Sequence, residues 1–115
     1  MATLSFPAEW SFAAPSQDAT KDFMLNIVAA RRLIENRARL VCLELGGWDT
    51  HTDNAGRTAI QASILDTALA DLLDELSSRN LLSETLVVLS TEFGRNARLN
   101  GFGGRNHHPH ASTPA

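Results

Sequence analysis

Cysteine is nearly absent from this 115-residue chain, where Cys42 stands alone. A single thiol cannot close an intrachain disulfide, which excludes a secreted scaffold stapled by such bonds. Its position inside the apolar run 39–45 reads as a buried structural thiol. No apolar stretch approaches the length of a membrane span. The N-terminus, MATLSFPAEWSFAAPSQ, has neither the basic start nor the long apolar centre of a signal peptide. An excess of positive charge is missing too. The formal charge is −3, and a nucleic-acid partner, which calls for a basic face, is not expected. The glycines of the C-terminal tract form no GxGxxG or P-loop in context, so nucleotide binding is unsupported. No GxSxG elbow singles out a serine nucleophile. The ending HASTPA follows a histidine cluster without a closing helix or strand, as in a truncated domain.

What is present is an ordinary globular composition, 43% hydrophobic. At this length one small domain is the upper limit. Residues 1–19, rich in Pro, Ser and Ala, are expected as a loop or lead-in, with Phe6, Trp10 and Phe12 showing no period. Residues 20–115 are expected as a partial α/β domain. A helix should start near Thr20, with Thr20 as cap and Asp22 in its first turn. Phe23, Ile27, Ala30 and Ile34 recur at helical spacing, with Leu33 beside them. Arg31, Arg32 and Arg37 lie toward its C-terminal end, where cations complement the dipole.

The run RLVCLEL, Arg39 to Leu45, reads as a strand buried on both faces and ended by Gly46 and Gly47. A polar loop from Trp48 to Asn54 follows. From about Gly56 to Arg79, Ile60, Ile64, Leu65, Ala68, Leu69, Leu72, Leu73 and Leu76 repeat at steps of three and four, which predicts a long amphipathic helix. Asp53 or Asn54 is its expected cap. TLVVLS, Thr85 to Ser90, reads as a second strand, with Thr91 to Gly94 as its exit. Strand, helix and strand together predict a parallel β-α-β unit. Its two strand exits would share one sheet edge, where open α/β sheets bind ligands.

The chemistry-bearing residues collect at those exits. Asp49 and His51 are two apart, so in an extended loop their side chains point the same way. A carboxylate with an imidazole suits Zn, Mn or Fe, although an Asp that orients a neutral His is commoner. Glu92 ends an apolar run and needs a partner or water. A salt bridge to Arg95 or Arg98 is the plainer account of it. His107, His108 and His110 form a short histidine-rich tract after Gly103 and Gly104. Each alone is more simply an exposed loop residue. As a group beside two other ligand clusters they point to a metal or anion site. The planar fork of Arg95 suits phosphate or sulfate oxygens.

The ordered blocks LELGGWDTHTDN, LLSETLVVLSTEFGRNARLN and GGRNHHP resemble the domain-of-unknown-function 1501 family, whose members are similar to the alkaline phosphatase and sulfatase superfamily. The resemblance runs from roughly residue 21 to 109. It implies a partial alkaline-phosphatase-like three-layer sandwich and a piece of a longer chain, lacking the region of the nucleophile and further metal ligands. Family members are often exported through a twin-arginine signal, and none is present in this sequence. The implied activity is metal-dependent hydrolysis of phosphate or sulfate esters, with a divalent metal (Zn, Mn or Ca) and an anionic small molecule or sugar ester as substrate. Asp49 and His51 match the aspartate–histidine metal motif, Glu92 follows its strand as the superfamily's aspartate does, and His107 or His108 matches the later histidine. Arg95, Asn100 and Arg105 are the expected substrate contacts. Phe93 stands where the superfamily has a histidine, Asn106 where the family usually has aspartate, and Asn96 where it usually has threonine. The alternative is a non-catalytic binding or structural α/β domain, or an inactive truncated reading frame.

Overall fold

The computed structural model describes residues 19–111. The expected lead-in therefore lies, but for its last residue, outside the described residues. Helix α1 spans Ala19–Glu35 and helix α2 spans Asn54–Ser78. A single 3-10 turn, Leu82–Glu84, follows α2. Strands β1, Gly94–Arg95, and β2, His107–His108, form a two-stranded antiparallel sheet, pairing Gly94 with His108 and Arg95 with His107. The fold is a mixed α/β arrangement dominated by its helices.

Local sequence explains both helices. Thr20 lies inside the first turn of α1, because the helix begins at Ala19. Asp53 caps α2, its carboxylate accepting from the Gly56 amide at 3.3 Å. Both C-termini close in the same way. Arg37 and Asn80 take positive φ. Ala38 N–H donates to Leu33 O and Arg37 N–H to Ile34 O; at α2, Leu81 N–H donates to Leu76 O and Asn80 N–H to Ser77 O. That paired pattern satisfies carbonyls a helix end otherwise leaves open.

The apolar stripes meet in one core. Phe23 and Ile27 of α1 pack with Ala68, Leu72 and Leu76 of α2, and Ala30 is buried as well. Each fully buried large side chain contributes about 1.5–3 kcal/mol. Ile60, placed on the apolar face by its period, is 62% exposed. Beside the core, Arg31 and Arg79 each bridge Glu35 and Glu75, tying the helices with a four-residue charge network. Among the described residues no helix is long and apolar enough to cross a membrane.

The two strands expected at 39–45 and 85–90 are not formed, and with them goes the parallel β-α-β unit. Both stretches lack regular secondary structure, and among the described residues no backbone hydrogen bond joins them. Their burial is one-sided. Leu43, Leu45 and Val87 pack against the helix core, while Leu40, Cys42, Leu86 and Val88 face outward. Leu86 is 88% exposed. Residues 40–45 and 85–88 therefore alternate with period two, one face covered by helices and the other open, and Leu89, 38% exposed, ends the pattern in the second run. Burial on both faces, and a buried Cys42, are corrected accordingly. A continuous apolar run records what a stretch can bury, and only a second layer decides whether it does.

Candidate metal centre

The site is built where the loop after residue 45 meets the hairpin of β1 and β2. Thr50 anchors that loop. It is 1% exposed, and its hydroxyl accepts from Asn54 Nδ2 at 2.6 Å. With Thr50 turned inward, its neighbours Asp49 and His51 are left exposed. The tract 100–105 then laces onto residues 50–54. Asp53 N–H donates to Phe102 O, Asn54 N–H to Gly103 O, and Arg105 N–H to Thr50 O. Asn100 ties this crossing together. Its Nδ2 donates to His51 O at 2.9 Å, and its Oδ1 accepts from the Phe102 and Gly104 amides at 2.9 and 3.0 Å. Gly104 is required by closeness: a Cβ there would lie under 3.0 Å from backbone atoms of His51 and Thr52. Gly103 holds a φ of 70°, the left-handed region that glycine enters without strain.

This crossing brings three ligand atoms together. His51 Nε2 lies 3.0 Å from Asp49 Oδ1, His107 Nε2 lies 2.9 Å from the same oxygen, and the two imidazole nitrogens are 3.1 Å apart. The Phe93 ring packs on His107 at 4.3 Å between centroids. Arg95 completes the surround. Its Nη2 donates to Asp49 Oδ1 at 2.7 Å and to Trp48 O at 3.2 Å, and its Nη1 donates to Arg105 O at 3.1 Å. The Asp49 carboxyl is pulled from the ordinary 3.8 to about 2, chiefly by the hydrogen bond from His107 and then by that from Arg95. It is an ionised carboxylate at any physiological pH.

As hydrogen bonding alone the triangle is incomplete. Each Nε2 carries at most one proton or one lone pair. Two nitrogens can therefore supply protons to two of the three edges, and the third edge is left with facing donors or facing lone pairs. A cation near all three atoms satisfies every edge at once.

A family model described as a protein of unknown function (DUF1501) matches residues 8–114. The chain belongs to the DUF1501 family. No curated protein and no solved structure matches it. Membership thus brings no activity with it, and the site has to speak through its own geometry.

In this DUF1501 chain, Asp49, His51 and His107 are the one group of three metal-ligating side chains gathered among the described residues. Glu92 is exposed and lies outside that group, and Arg95, one of the two arginines expected as its salt-bridge partner, pairs with Asp49 instead. His108 also lies outside it and sits 6.3 Å from His110, ring to ring. Successive strand residues point to opposite faces, so only one of the adjacent histidines of β2 can meet Asp49. Arg105 donates from Nε to Asn54 Oδ1 at 3.0 Å and from Nη1 to the Asn96 and Ala97 carbonyls. Both it and Asn100 brace the loop crossing. Asn106 takes part through its carbonyl, which accepts from the Asn96 amide at 2.8 Å, and through its side chain, whose Oδ1 accepts from Asn100 Nδ2 at 3.5 Å. The bracing roles of Thr50, Asn54 and Asn100 went unread in the sequence, where Asn54 was expected only as a helix cap and Asn100 only as a substrate contact. The cluster NGFGG was the available signal, since Asn and Gly mark turns whose side chains bond to nearby backbone.

Proposed function

We propose that Asp49, His51 and His107 hold a divalent metal ion, and that this DUF1501 chain supplies part of a metal-dependent hydrolase domain acting on phosphate or sulfate esters. The surrounding fold in that reading is an alkaline-phosphatase-like sandwich, with the open faces of 39–45 and 85–90 covered. One observation carries the metal claim. Ligand atoms from segments 56 and 58 residues apart converge to hydrogen-bonding distance, in a triangle that hydrogen bonds cannot complete. When bound, a divalent ion neutralises charge on a phosphoryl or sulfuryl group and acidifies a coordinated water.

The chain's own residues do the positioning. Arg95 orients the Asp49 carboxylate, as outer partners of metal ligands do. Arg105 and Asn100 fix the crossing that sets His51 against His107. The substrate class, an anionic ester of a small molecule or sugar, is the one the superfamily resemblance implies, and a cation held by the triad would attract it. Glu92 and His108 are not needed for the triad. A second reading, a binding or structural domain without turnover, is favoured by how the guanidiniums are spent: Arg95 and Arg105 direct their bonds to protein oxygens.

The test is elemental analysis of the purified chain after dialysis against trace divalent metals, followed by a phosphatase and sulfatase screen. Near-stoichiometric metal in the wild type, and its loss in His51→Ala and Asp49→Asn, are expected. Absence of bound metal, or unchanged metal in His51→Ala, overturns the metal claim. Turnover abolished by chelation and restored by one metal supports the hydrolase; metal without turnover leaves the binding domain.

A further inference from the structure

We propose that the cleft between α1 and α2 seats a basic amphipathic helix of a partner protein. The cleft shares no residue with the Asp49–His51–His107 cluster. Its volume is about 500 Å³, within the roughly 300–1,000 Å³ of pockets that hold ligands. Met24, Ile27 and Val28 of α1 and Leu72 of α2 give it an apolar floor. Val28 is 44% exposed, and Leu25, three residues before it, is 55% exposed and continues the apolar strip up the flank of α1. The lining runs from Met24 to Arg31 on one helix and from Asp71 to Arg79 on the other, about two turns of each. A third helix laid along that length sets apolar anchors at i, i+3 or i+4, and i+7 into such a groove.

Charge decides the occupant. At one end of the cleft Arg31 and Arg79 are matched by Glu35 and Glu75, so that network is neutral. Asp71 and Asp74 differ. Both line the cleft and are exposed, and among the described residues neither makes an ion pair or a hydrogen bond. Three residues apart on α2, they are neighbours on one lip. The cleft therefore offers an apolar floor beside two uncompensated negative charges, and its complement is apolar on one side with cations next to it.

The other occupants fit that pattern poorly. Residues 1–18 carry Glu9 and Asp18 but neither lysine nor arginine. A second copy has a formal charge of −3, and a two-fold axis through the cleft would bring Asp71 and Asp74 toward their own equivalents. An anionic membrane surface meets the same repulsion.

Two synthetic helical peptides, about three to four turns long, serve as probes. Both carry leucines on one face; the other face is lysine in the first and glutamate in the second. Each is labelled, titrated with the full chain and followed by fluorescence anisotropy. The lysine peptide should saturate at one equivalent and weaken as salt rises, and the glutamate peptide should bind at least about tenfold more weakly. Asp71→Lys, and separately Val28→Gln, should weaken the lysine peptide about tenfold without moving the thermal melt, since both positions are exposed. Asp66→Lys makes the same change of charge on α2 outside the cleft, and should cost less than about twofold. Equal binding of the two peptides, no binding by the wild-type chain, or an equal loss in Asp66→Lys overturns the proposal. Sedimentation of the chain alone tests the second copy: a dimer that Val28→Gln dissociates assigns the cleft to it. Peptide binding that appears only in Trp10→Ala assigns the cleft to the lead-in. Either result overturns the proposal as well.

Discussion

Replacing Gly104 by alanine puts the loop crossing under direct test. The added Cβ falls under 3.0 Å from backbone atoms of His51 and Thr52, and a backbone cannot swing aside as a side-chain tip can. The tract 100–105 must then retreat from residues 50–54. That retreat endangers the bonds from Arg105 N–H to Thr50 O at 3.1 Å, from Asn54 N–H to Gly103 O at 2.9 Å and from Asp53 N–H to Phe102 O at 3.2 Å. Each such bond is worth about 0.5–1.5 kcal/mol, and forced overpacking costs about 1–3 kcal/mol. A total loss of about 2–4 kcal/mol follows. For a domain of this size it lowers the melting temperature by on the order of 10 °C or more. His107 lies three residues beyond Gly104, so the same retreat opens the ligand triangle. Metal affinity should fall about 10–100-fold, as when the outer supports of metal ligands are removed. Thermal melts by circular dichroism and metal titration measure the two effects. Gly101 is the internal control: a Cβ there meets nothing within 4 Å, so Gly101→Ala should shift neither quantity appreciably. A Gly104→Ala chain that melts and binds metal like the wild type, or a Gly101→Ala chain equally impaired, refutes the claim that this close crossing builds the site.

Three further outcomes can be checked. Leu76→Ala removes a fully buried side chain and should cost about 2–5 kcal/mol in urea unfolding, whereas Ile60→Ala, 62% exposed, should stay within about 0.5 kcal/mol of wild type. Asp49 has a folded pKa of about 2, below its ordinary 3.8, so its contacts stabilise the fold above about pH 4 and lose that effect as pH falls toward 2. Asp49→Asn should flatten this acid limb of the stability profile; an unchanged limb, measured by denaturant unfolding across pH, rejects the assignment. Val88→Lys, at a position 62% exposed on an unpaired apolar run, should leave the melting temperature unchanged and reduce self-association in sedimentation, because a charge on such an edge blocks strand pairing.

The helices were legible because their causes are local. Phe23, Ile27, Leu72 and Leu76 sit at steps that any helix turns to one side, and Asp53 caps through a contact three residues long. The ligand types were legible too, since Asp49 and His51 are neighbours in the loop and the histidine tract is conspicuous. The choice between His107 and His108 was not, because it depends on the register that sets Arg95 opposite His107. Arg95 was read as a partner of substrate or of Glu92. Its actual partners, Asp49 and the carbonyls of Trp48 and Arg105, lie on segments that only folding brings near.

By itself, the sequence determined two amphipathic helices, the cap of the second, a polar loop after residue 45 and a short list of metal-ligating side chains. These follow from backbone geometry and spacing within a few residues. The tertiary structure alone decided that 39–45 and 85–90 stay unpaired, that the sheet is antiparallel, and that His107 rather than His108 joins Asp49 and His51. Pairing a strand or closing a ligand triangle takes two distant segments, and no pattern within either one states where the other will lie.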